Sequence, residues 1–182
     1  MDKHQLLRRT GKLCLFAVRN FAYSRAAHDA QSKWRYQQFW IAVANNALDI
    51  GILEWCKVFA DKKAEHAWRR SINDQALFLA ELLTHLRLTE SMFDAYLQEM
   101  RTYRDKFVAH LDRENQMNIP DLSAAIKSAQ FLYKWLVDKE DDGGAFSDSP
   151  SDAVGYFRDS FAEAQNVYSK MELSKASSAG SR

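Results

Sequence analysis

Arg104, Asp105 and His110 are the residues of this chain whose types and spacing best suit chemistry. They belong to the run Arg-Asp-Lys-Phe-Val-Ala-His at residues 104–110. A guanidinium can grip phosphate oxygens in a fork, and an imidazole can move a proton near neutral pH. A cation beside a titratable imidazole therefore suits phosphate chemistry. Placed on a helix, Arg104 lies beside an apolar stripe that includes Met100 and Phe107. Tyr103 and His110 then point the same way, and Arg104 is turned roughly 100° from Tyr103. Arg104 and His110 thus flank one face near the C-terminal end of that helix, whose negative pole favours a protonated imidazole. An arginine there needs a partner or a watery groove, because an unpaired buried charge is costly.

The string TYRDKFVAHLD, ending at Asp112, with the amphipathic helix before it, resembles the HEPN superfamily, and in particular its abortive-infection-like branch. The signature of those helical bundles is an Arg, a polar residue and, after a short interval, a His. Here Asp105 follows Arg104, and five residues separate Arg104 from His110. The stretch from Phe39 to Phe59, with its LEWCKVF string, is similar to the same branch, and the resemblance covers roughly residues 32–137. It implies a metal-independent endoribonuclease with an RNA substrate, needing no cofactor and no metal. It also implies a homodimer that brings two Arg/His pairs into one cleft. Carried over, His110 would transfer the proton of a ribose 2′-hydroxyl or of the leaving oxygen. Arg104 would steady the phosphate charge in the transition state, and Asp105 would orient Arg104 or His110. The products would be a cyclic phosphate and a 5′-hydroxyl. An antitoxin or other regulatory protein is a further implied partner. Toxin members under nucleotidyltransferase control often carry a Tyr two residues after the His, where this chain has Asp112. Many members lack activity, so the alternative is an inactive HEPN-like module for dimerisation, RNA or partner-protein binding.

The elements that must position these residues read as helices throughout, giving an all-α fold: an antiparallel helical bundle with additional N- and C-terminal helices. A first helix is expected over residues 5–27. A second runs from Ser32 to Ala60 with Trp34, Phe39, Val43, Ala47, Ile50, Leu53, Cys56 and Val58 in its stripe. Gly51 within it marks a close contact or a kink. A short helix at Glu65–Ser71 precedes one capped by Asn73 or Asp74 and running through Leu88. Thr89 caps the helix that carries Phe93, Leu97, Met100 and the 104–110 run. A further helix follows from Asp121 or Ser123 through Val137. The expected organisation is a bundle over 1–137, an acidic Gly/Ser linker at 138–151, a C-terminal helix at 152–173 and a disordered tail at 174–182.

Composition narrows the class. Of 182 residues 47% are hydrophobic and only six are Gly and two Pro, which favours long helices around a real core. Cys14 and Cys56 stand apart from any CxxC or Cys/His pattern, so neither a disulfide framework nor a zinc site is read. His66 and His85 lack ligand-spaced partners. No apolar run is long enough for a bilayer and no apolar leader is evident, so a cytoplasmic protein without membrane partners is expected. The net charge of +1 hides an asymmetry. Residues 1–35 hold eight basic against two acidic residues, and residues 136–163 hold two against eight. The two regions can attract each other, or the basic one can meet a phosphate backbone. Asn45, Asn46 and Asp49 interrupt the second helix, either as a polar edge or as groups that reach the Arg/His pair. Glu54 invites a basic partner that the sequence does not choose.

Overall fold

Asp2 opens the first helix, α1 (Lys3–Asp29), by accepting the Gln5 amide at 2.7 Å, which satisfies one of the orphan donors of the first turn. The computed structural model describes residues 1–34, 36–61, 63–108 and 118–178. Within them the chain is an all-α helical bundle. The order continues with α2 (Gln31–Trp34), α3 (Gln38–Phe59), α4 (Trp68–Ser71), α5 (Gln75–Leu86) and α6 (Glu90–Tyr103). A π-helical turn (Arg104–Val108) extends α6. Then come α7 (Ser123–Trp135), prolonged by a second π-helical turn (Leu136–Glu140), and α8 (Ala153–Ser178).

α1 is the central element and packs against α3, α7 and α8. Its buried Leu7, Cys14, Val18 and Phe21 recur at helical spacing, and small Ala17, Ala22, Ala26 and Ala27 let neighbouring helices come close. α1 comes close to α3 at Gly51, where a Cβ would fall 2.7 Å from the Phe21 ring. Gly51 is therefore a contact point between helices. Trp55, Phe59, Trp68, Phe78, Met100, Leu132 and Tyr133 fill the main core. A second cluster joins Ala26, Ala27 and Trp34 to Ala164 and Tyr168 of α8.

The expected helix from Ser32 to Ala60 is broken before Gln38. Trp34 is buried and donates its indole N–H to the Ala27 carbonyl at 2.9 Å, which turns the chain back against α1. Gln37 then takes an extended conformation (φ −107°, ψ 106°). Of the stripe expected on α3, Ala47, Cys56 and Val58 are buried, Leu53 is half-buried, and Phe39, Val43 and Ile50 are exposed. Asp74 and Thr89 cap α5 and α6, accepting from the Leu77 and Met92 amides at 3.0 and 3.2 Å.

The acidic stretch 138–151 is folded onto the bundle. Asp141 accepts from the Gly143, Ala145 and Phe146 amides, winding the chain into a tight turn through Gly144 at φ 72°. The turn delivers Phe146 into the core beside Tyr133, over Gly11, where a Cβ would lie 2.3 Å from the Phe146 ring. Arg8 closes it with a two-pronged ion pair to Asp148, at 2.7 and 2.5 Å, and a bond to the Ala145 carbonyl. The basic and acidic ends thus meet within one chain. α8 extends past Leu173 to Ser178, and residues 179–182 of the expected tail lie outside the described residues.

Candidate functional site

α3 and α6 pack antiparallel, which brings the C-terminal half of α3 against the segment that ends in Arg104. Phe59 meets Phe93, Trp55 meets Tyr96, and Asp49 meets Tyr103 in reverse order along the two helices. Phe93, Leu97, Met100 and Tyr103 are the buried face of α6, at spacings of three and four residues. Cys56 sits beneath this face with its thiol toward the Met100 carbonyl, and burial pushes that thiol up to about 12. At resting pH it is a neutral packing group.

Arg104 follows Tyr103 and turns toward the end of α3. Its Nη1 donates to both carboxylate oxygens of Asp61 at 2.6 Å, and its Nε donates to Asp105 at 2.9 Å. The Arg104 side chain keeps 15% of its exposure. Burial works against its charge, but the hydrogen bonds and charges of Asp61 and Asp105 outweigh burial and hold the guanidinium above its ordinary range. One turn earlier Arg101 donates to the Ala60 carbonyl. Two arginines three residues apart therefore clamp the C-terminal end of α3, where the carbonyls are unpaired and the dipole is negative. Asp61 is itself set by its amide, which donates to the Cys56 carbonyl at 2.9 Å.

Of the expected site residues, the structure brings Arg104 and Asp105 together, while His110 lies outside the described residues, as does Asp112. Residues 104–108 form a π-helical turn where a regular α-helix is expected. Such a turn adds a residue to the ring closed by each hydrogen bond. Asp49 reaches the neighbour of Arg104, accepting from the Tyr103 hydroxyl at 3.2 Å, whereas Asn45 and Asn46 are exposed. Burial raises the Asp49 carboxyl above its usual range, with the Tyr103 bond opposing. Glu54 pairs with Lys57 at 2.9 Å, and its other oxygen is buried without a partner.

Sequence reasoning passed over Asp61 and Arg101. The i, i+3 spacing of Arg101 and Arg104 was a visible signal. Asp61 lay in a polar break, and nothing in its surroundings pointed to a partner 43 positions away. Among the described residues no three His, Cys, Asp or Glu side chains gather into a metal cluster, and no helix is long and apolar enough to cross a membrane. No family model, curated protein or solved structure matches the chain.

Proposed function

We propose that the chain is a HEPN-type, metal-independent endoribonuclease whose active site is completed by a second copy of itself. The observation that carries this reading is the state of Arg104. Its guanidinium is fixed in orientation by Asp61 and Asp105, its side chain is not fully buried, and it stands six residues before His110 in the chain. A cation fixed in this way is preorganised for a phosphate. One imidazole takes the proton of the ribose 2′-hydroxyl, whose oxygen attacks the phosphorus. The bond to the 5′ oxygen breaks, and that oxygen receives a proton. The products are a cyclic phosphate and a 5′-hydroxyl. Arg104 balances the charge on the phosphate, and Asp61 and Asp105 are positioning residues.

The test is cleavage of RNA by the purified protein in a chelator, compared with His110→Ala, Arg104→Ala and Asp61→Asn. Loss of the imidazole is expected to slow cleavage by about a hundredfold or more. Asp61→Asn should lower kcat with a smaller effect on KM. Equal cleavage by all four proteins would remove the reading.

One observation favours a second reading, a noncatalytic helical module. The same arginine helps Arg101 to clamp the end of α3, a purely structural task. In that case Arg104→Ala lowers stability by about 1–2 kcal/mol, as loss of a partly exposed charged hydrogen-bond pair would, and no RNA is cut by any form.

A further inference from the structure

A groove of about 1040 Å³ lies between the end of α5, the middle of α7 and the start of α8. Its chemistry is cationic and aromatic. Lys127, Phe131 and Lys134 follow one another on α7 at spacings of four and three, so they share a face. The two ammonium groups are rooted about 10 Å apart along the helix, with the ring between them. The His85 ring lies against Phe131, tilted by 32° with ring centres 5.1 Å apart, and Arg87 completes the rim. Carboxylates oppose this set, and Glu81 lines the adjoining hollow together with His85 and Phe131. Asp152 is turned to the Gly155 amide at 2.6 Å as the cap of α8. Asp138 pairs with Lys134 at 2.6 Å, but that pair is exposed and of the kind that contributes little and exchanges readily.

Arg87 supplies an independent observation. It stands immediately after α5 in the left-handed conformation (φ 57°), and no other non-glycine residue described has a positive φ. The Leu88 amide reaches the Leu83 carbonyl and the Arg87 amide the Thr84 carbonyl, both at 3.1 Å, a helix ending that favours Gly at this position. An arginine here costs stability, and its side chain lines the groove.

We propose that this groove is a track for single-stranded nucleic acid. Lys127, Lys134 and Arg87 meet successive phosphates, and the His85–Phe131 pair offers a face for a base. The alternation of cation and ring along one helix face fits a strand whose phosphates and bases alternate in the same way. The site does not depend on Arg104 or His110 and shares with the proposed nuclease only the class of ligand.

The experiment is fluorescence anisotropy of labelled oligouridylate with the full chain, over a range of salt, alongside its thermal unfolding. Lys127→Ala with Lys134→Ala should weaken binding at least tenfold. It should also lower the salt slope of log K by about 0.7 for each lysine that meets a phosphate. Arg87→Gly should weaken binding while raising Tm by about 2–4 °C, so its loss of binding cannot come from unfolding. Lys170→Ala, which removes an exposed cation of α8 outside the groove, should bind the oligonucleotide as the parent does. No binding by the parent chain, or equal affinity and salt slope in the groove variants, would overturn the proposal. Cleavage with an unaffected groove, or groove binding without cleavage, separates its failure from that of the nuclease.

Discussion

Asp49 shows what a single partly buried carboxylate does to this fold. Burial raises its carboxyl above the ordinary range, and the Tyr103 hydroxyl only partly compensates. A folded-state value above the unfolded one means that this group's contribution is complete below the unfolded value. It is lost as pH rises through the folded value. Ionised Asp49 is therefore a burden at neutral pH. Asn at this position keeps an acceptor for Tyr103 and removes the charge. D49N should unfold at a higher temperature than the parent at pH 7, with the difference shrinking as the pH falls toward the usual aspartate range. Thermal melts at both pH values check this. Arg104 is the opposite case, since its neighbours outweigh burial and keep it charged under all practical conditions.

At the scale of elements, the contact between α1 and α3 positions the face of α3 that receives Tyr103. That contact depends on Gly51, whose absent side chain leaves room for the Phe21 ring. Gly51→Ala gains helix propensity but drives a methyl into an aromatic ring that is fully buried. Overpacking of this kind costs about 1–3 kcal/mol, and denaturant unfolding should show a loss in that range. The π-helical turn at 104–108 is the other decisive element. It begins where Arg104 leaves the buried face of α6 to meet Asp61.

For the whole molecule, the acidic stretch after α7 is the surprise in packing. It resembles a linker in composition, yet Phe146 anchors it beside Tyr133 and Arg8 ties it to α1. Phe146→Ala should destabilise the whole fold by about 3 kcal/mol, since it empties a site bounded by Gly11 that nothing nearby can refill. A mobile linker would tolerate the change without a shift in the unfolding midpoint. Because α8 packs along α1 and shares the second cluster through Ala164 and Tyr168, loss of the Phe146 anchor should unfold it together with the bundle in one transition.

The sequence by itself determined the helical class, the cap at Thr89 and the buried face Phe93–Leu97–Met100, and it narrowed the α5 cap to Asn73 or Asp74 and Gly51 to a close contact or a kink. Each follows from local spacing or from a side chain bonding to its own backbone. It also singled out Arg104 and placed Asp105 beside it. Only the tertiary structure decided the rest. Asp61 became the partner of Arg104 through the antiparallel packing of α3 and α6, a choice that no local pattern encodes. Trp34 broke the expected long helix because burial against α1 outweighed continued helical bonding. The run 138–151 folded because Asp141 supplied acceptors and Phe146 found a cavity, and composition cannot tell a polar turn that has an anchor from one that has none.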